Sequence, residues 1–414
     1  MVITKSKLFK KIMSINELLP NINVAESDKH DRRSIWFLEG ILTDELVDCS
    51  QLQAGGTLSN IDGYLEILEE NKYIDEIMDI CEKLVISPFS ENKCLFADTD
   101  ENRDMSRQAT DILNMAINSY QGRAAELLVH MSSIPSRRQK IYMFFSDNSA
   151  LMQRQIKAIP LYFLNIEYYF DGELYFPMMK LLLSGMGTEA LYIRANAIQW
   201  SFYHRSDVVL SYIDRIESDS TSHELLAQIY FYGMAGTENP EECEMRLERI
   251  LANCNEDVIA KIVEVAMKSY GHAEYHDLSV RYLERYASDD REKVSGAYCL
   301  YCDSLPVEAF NWYCGIAPVY TRKKYQPVNQ QLEYVKKCVS KYPVLCYRLI
   351  LSQKYYDVEN ASLVNDEVVK ILLEIYRKLS MIENTDAMNE VLDLFDEYLY
   401  RGNRIMKDAV SLLG

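Results

Sequence analysis

The stretch Ala116-Ile-Asn-Ser-Tyr-Gln-Gly-Arg-Ala-Ala-Glu-Leu-Leu-Val-His130 decides the fold. Tyr120, Ala124, Leu127, Leu128 and Met131 recur at helical spacing, so one face of the segment is apolar. Asn118 and Ser119 stand where a helix needs oxygen acceptors for its first amides. Gly122 falls inside the pattern, where it costs roughly 1 kcal/mol relative to Ala, and so implies close approach of a neighbouring element. Burial is expected for Ala124, Leu127, Leu128 and Met131, with Arg123 and Glu126 more exposed. Such a helix stacks on other helices and carries no chemistry of its own.

Outward from this stretch, the openings Asp147 to Arg154, Thr188 to Arg194, Ser220 to Glu224, Asn255 to Val258 and Ser288 to Val294 repeat one design. Each places a capping residue before an acidic first turn and then an apolar stripe, as a helix start should. They recur roughly every 30–40 residues, each followed by a second helix, among them Val208–Ile216, Cys243–Leu251 and Leu278–Tyr286. Further helices are expected over Gln330–Val339, Val344–Gln353, Asp366–Met381 and Ala387–Tyr398, with a last short one after them. The fold class that follows is all-α: an α-solenoid of irregular HEAT-like helical repeats over residues 105–414. Residues 1–104 form a helical lead-in region. It starts with a basic amphipathic stretch to Pro20, and the acid- and turn-rich segment 87–104 marks its boundary.

Composition agrees with that class. Among 414 residues there are only 15 Gly and 10 Pro, and 48% are hydrophobic, so helices are rarely broken and a core can be buried. The net charge of −18 repels nucleic acid and anionic lipid, so neither is an expected partner. Ten cysteines dispersed through apolar segments read as reduced, buried thiols of a cytoplasmic protein. No apolar run approaches the roughly 18 residues that a membrane span needs.

Catalytic patterns fail one after another. Gly233-Met-Ala-Gly236 and Gly185-Met-Gly187 lack the Lys-Ser/Thr of a phosphate-binding loop. His223-Glu224 opens like a zincin helix, but Ala227 stands where the second histidine belongs. His272 and His276, at i and i+4 of an expected helix, with Cys299 and Cys302, have the donor types of a tetrahedral zinc site. The competing reading puts both cysteines in an apolar stripe as packed thiols and both histidines at the surface, and it is preferred. No catalytic residue, metal site or cofactor is assigned, and the chain reads as a non-enzyme.

Thirty tyrosines are the unusual feature of the composition. Tyr162, Phe163, Tyr168, Tyr169, Phe170, Tyr175 and Phe176 crowd one segment, followed by Trp200, Phe202, Tyr203 and His204, then Tyr230, Phe231 and Tyr232. These rings are either inter-repeat core with hydroxyls at the rim or a protein-binding surface, since aromatics supply large rigid contact area. On the second reading Tyr168, Tyr169, Trp200 and Tyr203 contact a protein partner from the inner face of the repeats.

The segment Ile117-Asn-Ser-Tyr-Gln-Gly-Arg-Ala-Ala-Glu-Leu-Leu128 resembles a motif of Avs-type antiviral STAND NTPases. There Ile-Asn-Ser, a Gly or Arg-Gly, and Ala-x-Glu-Ala-Leu stand at the head of the C-terminal helical repeats. This chain has Gln121-Gly122-Arg123 where Arg-Gly is expected. The text from residue 35 to 414 is similar in character, including Trp200-Ser-Phe-Tyr-His204. The resemblance implies the sensor part of such a protein, which recognises a viral protein, without the NTPase or effector and with no catalytic residue to carry over. Two other readings stand beside it: a generic cellular α-solenoid scaffold, and a zinc-dependent or hydrolytic enzyme on a helical scaffold.

Overall fold

A computed structural model describes residues 74–86, 104–117, 119–163, 172–237, 239–320, 324–355 and 361–400. Among them there is no strand; every regular element is helical, with three 3-10 turns. The lead-in to residue 73, most of the 87–104 segment and the expected last short helix lie outside the described residues. The chain divides into two compact units, residues 1–222 and 223–414.

In the first unit the helices are α1 (Ile74–Val85), α2 (Met105–Ile117), α3 (Tyr120–Met131), α4 (Pro135–Asn148), α5 (Arg154–Phe163), α6 (Gly172–Leu183), α7 (Glu189–His204) and α8 (Ser206–Ile216). α3 packs between α1 and α5, α5 against α7, and α4, α6 and α8 pack in succession, while α2 lies on α5 and α7. The deciding stretch forms as its spacing dictates. Ala124, Leu127, Leu128 and Met131 are fully buried. Arg123 and Glu126, both half-exposed, pair with each other at 2.6 Å. The side chain of Tyr120 lies outside the described ones.

Two residues separate α2 from α3, and Ser119 closes that junction. Its Oγ accepts from the Gly122 amide at 2.9 Å and donates to the Ala116 carbonyl at 2.7 Å. A Cβ on Gly122 would stand 2.0 Å from the Ala116 oxygen. The close approach implied by this glycine is therefore to the last turn of the preceding helix.

In the second unit the helices are α9 (His223–Gly236), α10 (Pro240–Leu251), α11 (Glu256–Ser269), α12 (His276–Arg285), α13 (Glu292–Tyr301), α14 (Phe310–Ile316), α15 (Tyr325–Cys338), α16 (Pro343–Gln353), α17 (Ala361–Met381) and α18 (Thr385–Tyr400). α9, α11, α13, α15 and α17 pack each on the next, and α10, α12, α16 and α18 pair with members of that row. α11 shows why. Asn255 Oδ1 accepts from the Val258 amide at 3.2 Å, Glu256 and Asp257 fill the positive end, and Lys268 the negative one. Buried Val258, Ile259, Ile262, Val263, Val265, Ala266 and Met267 span more than one face, as a helix flanked on both sides requires.

Two expected openings are corrected. Asp147 and Asn148 end α4, and the next helix starts only at Arg154. Asn148 turns its Nδ2 back to the Phe144 carbonyl at 2.9 Å, closing a helix end rather than capping a start. Thr188 does precede α7, but its hydroxyl donates to the Asp219 carboxylate. The buried Glu189 carboxylate takes the Gly187 amide at 2.9 Å and the Arg154 guanidinium.

Candidate protein-binding surface

Of the four residues expected to contact a partner, Tyr168 and Tyr169 lie outside the described residues. Trp200 and Tyr203 share the last turns of α7, three residues apart. The indole of Trp200 is half-buried and stacks on Phe176 of α6, with centroids 5.7 Å apart and planes 9° from parallel. Tyr175 meets it edge-on at 5.5 Å. His204, four residues on, lies 4.3 Å from the indole and 5.2 Å from the Tyr203 ring. Its Nδ1 is 2.9 Å from the Trp200 carbonyl, which holds the imidazole against the helix.

Arg205 completes the patch. Its guanidinium lies 5.4 Å over the Phe176 ring and binds both oxygens of Asp207, at 3.0 and 3.2 Å. The Asp207 carboxyl sits below its usual range because this guanidinium hydrogen-bonds to it. Tyr203, His204 and Arg205 are exposed, so a rigid, mostly ring-built ledge faces solvent above a buried base of Phe176 and Tyr175. Chemically such a ledge can bury an apolar side chain and offer a few donors at its edge. The spacing of α7 shows Trp200, Tyr203 and His204 on one face; Arg205 needed the structure, because its ring partner is 29 residues away.

The rest of the aromatic crowd, among the described residues, divides: Tyr162 is exposed, Phe163 and Tyr232 are half-buried, and the others are core. Tyr175, Phe176, Tyr230 and Phe231 are buried. Nine tyrosines, Tyr142, Tyr175, Tyr212, Tyr230, Tyr282, Tyr298, Tyr313, Tyr334 and Tyr355, rank among the largest fully buried side chains. Several of their hydroxyls turn to backbone or amide groups inside the fold, while that of Tyr282 reaches the Glu248 carboxylate. Tyr212 donates to the Gly187 carbonyl at 2.9 Å, Tyr334 to that of Pro306 at 2.9 Å and Tyr313 to that of Tyr298 at 3.2 Å. Gln331 Nε2 donates to Tyr313 at 2.7 Å and its Oε1 accepts from Tyr355 at 2.6 Å. A buried phenol thus ties one helix to the backbone or amide of another, satisfying groups that water would otherwise have to reach. Burial pushes the Tyr175 phenol up to about 12 and those of Tyr298, Tyr313 and Tyr334 well above the usual value.

The four zinc-type donors do not meet as one set. His272 lies in the turn between α11 and α12, not on a helical face with His276, because the helix has ended before Gly271. It is exposed, while His276 holds the Tyr270 carbonyl at 3.0 Å through Nδ1. Cys299 and Cys302 are fully buried, Cys302 donates to the Cys299 carbonyl at 3.2 Å, and burial raises both thiols. Among the described residues no three His, Cys, Asp or Glu side chains are grouped to hold a metal, and no helix is long and apolar enough to cross a membrane.

Residues that sequence reasoning passed over form a second ring cluster in the other unit. Tyr270, at the end of α11, stacks on Trp312 of α14 with centroids 5.0 Å apart, and His276 meets Tyr270 edge-on at 4.6 Å. Trp312 Nε1 donates to Glu284 Oε1 at 3.0 Å. Only the scarcity of tryptophan, three in the chain, points to Trp312 from sequence. Compared with known protein families, with curated proteins and with solved structures, the chain shows no match.

Proposed function

We propose that this chain is a protein-binding helical-repeat module, with HEAT-like pairs stacked in each unit and the Trp200–Tyr203 ledge as a contact point. One observation carries the repeat reading: polar contacts between helices recur at about one repeat length in sequence. Arg281 reaches Glu244 and Arg285 reaches Glu248, both 37 positions apart; Lys341 reaches Glu308 at 33 and Lys336 reaches Glu367 at 31. In the first unit Arg215 reaches the Leu183 carbonyl at 32. Such contacts belong to units that touch only their neighbours, the arrangement of stacked repeats.

The binding reading rests on the chemistry of the ledge. Trp, Tyr and Arg are the residues that dominate interface energetics, and here ring stacking and a bidentate carboxylate hold them in place. The resemblance to the sensor region of Avs-type STAND NTPases makes a phage protein the first partner to try. The test is capture of phage structural proteins by the purified chain, repeated with Tyr203→Ala. Loss of a captured partner by about fivefold or more, with the circular dichroism spectrum unchanged, is the expected result. Retention of affinity within about threefold moves the site elsewhere.

A further inference from the structure

Several rings in this protein, buried (Tyr282, Phe176) or half-exposed (Tyr301, Tyr342), are served by the chain's own cations, in one arrangement. Arg285 lies over Tyr282 while pairing with Glu248. Lys268 lies over Tyr301 while pairing with Glu264, and Lys341 over Tyr342 while pairing with Glu308. Arg205 does the same with Phe176 and Asp207. Ring, carboxylate and cation form a triad each time, because the ring's negative face and the carboxylate attract the same charge.

Trp312, Tyr270 and Glu284 repeat two members of the triad. The Trp312 and Tyr270 rings are half-exposed, and the exposed Glu284 carboxylate is fixed beside them by the indole N–H at 3.0 Å. Among the described residues no Lys or Arg pairs with Glu284 or lies over either ring. The two nearest in sequence, Arg281 and Arg285, are held by Glu244 and Glu248. We infer that Trp312, Tyr270 and Glu284 form a docking point for an arginine side chain of a partner protein. Charge complementarity selects the cation, since the chain carries −18 and the carboxylate lies at the ring edge. Geometry selects arginine over lysine: a planar guanidinium stacks on an indole and still offers a fork to a carboxylate. This rests on the reading of the chain as a protein-binding module, and adds that its partner presents a basic residue.

The test reads Trp312 directly and does not depend on the Trp200–Tyr203 ledge. The full chain is labelled with 5-fluorotryptophan, and the Trp312 resonance is assigned from Trp312→Phe. It is titrated with a short glycine–arginine peptide and with matched glycine–lysine and glycine–citrulline peptides. The expected result is a saturable shift of the Trp312 resonance with arginine, weaker with lysine and absent with the neutral citrulline. Glu284→Gln should weaken arginine binding about fivefold, whereas Glu390→Gln, which removes the same charge elsewhere, should not. An equal response to citrulline, or equal losses in the two Gln variants, overturns the inference. A failed phage-protein capture leaves this measurement intact, so the two readings fail separately.

Discussion

At Gly122 two residue-scale effects oppose each other and magnitudes decide. Alanine is the better helix former by about 1 kcal/mol, which alone would make Gly122→Ala stabilising. Its methyl would stand 2.0 Å from the Ala116 oxygen and 2.5 Å from the carbonyl carbon, both backbone atoms of α2. Backbone yields less than a side chain, so the substitution should cost about 1–3 kcal/mol net, read as a fall in the urea midpoint. Leu128→Ala removes a fully buried side chain from the same helix and should cost about 2–5 kcal/mol. A Gly122→Ala variant at least as stable as the parent would mean that α2 and α3 can part without loss.

Titration is also a residue-scale property. The Tyr175 phenol is held near 12 by burial, against about 10 in an unfolded chain. The folded value is the higher one, so the stability it reflects is complete below pH 10 and is lost as pH rises from there towards 12. Tyr298, Tyr313 and Tyr334 act in the same direction. Beyond the phenolate absorbance of exposed tyrosines near pH 10, the further rise at 295 nm from the buried phenols should therefore coincide with loss of helical ellipticity. Ionisation of these phenols ahead of unfolding would contradict their burial.

At the scale of elements, two kinds of tie join neighbouring helices and should respond differently to salt. Arg285 and Glu248 link α12 to α10 at a half-exposed surface, where Arg285 holds the Glu248 carboxyl below its usual range. Such a pair is worth up to about 1 kcal/mol and is screened, so Arg285→Gln should cost little and less still at high salt. Tyr298 donates from α13 to the Leu283 carbonyl of α12, buried from water. Tyr298→Phe leaves that carbonyl without its donor and should cost about 1–3 kcal/mol at any ionic strength. Denaturant midpoints at low and high salt check both; equal salt dependence would mean that the two ties are of one kind.

At the scale of the whole molecule, each unit has its own core. Residues 223–400 bury Leu226, Leu247, Ile262, Leu283, Leu332, Leu372 and Val391, among others, with contacts concentrated within that unit. A chain of residues 223–414 expressed alone should fold with native-like helical ellipticity and a cooperative transition. A fragment that stays unfolded would show that the core needs residues before 223.

The sequence by itself determined that the described segments are helical, and placed their limits only to within several residues. Caps such as Asn255 and Ser119, Pro135, Pro240 and Pro343 at first helical positions, and the apolar spacing of α3 act within a few residues. Tertiary structure decided what each ring and polar group does. Tyr313 and Tyr203 are alike in sequence, yet one is buried with its hydroxyl on the Tyr298 carbonyl and the other lies 38% exposed. The difference lies in which helix packs ahead of each, a contact made some 15–37 residues away. His272 and Cys299 were parted for the same reason, one left on a turn and the other drawn into the core. Trp312 and Glu284, 28 residues apart, were joined by it. Helix formation is local and can be read locally; burial and pairing depend on the neighbour that stacking supplies.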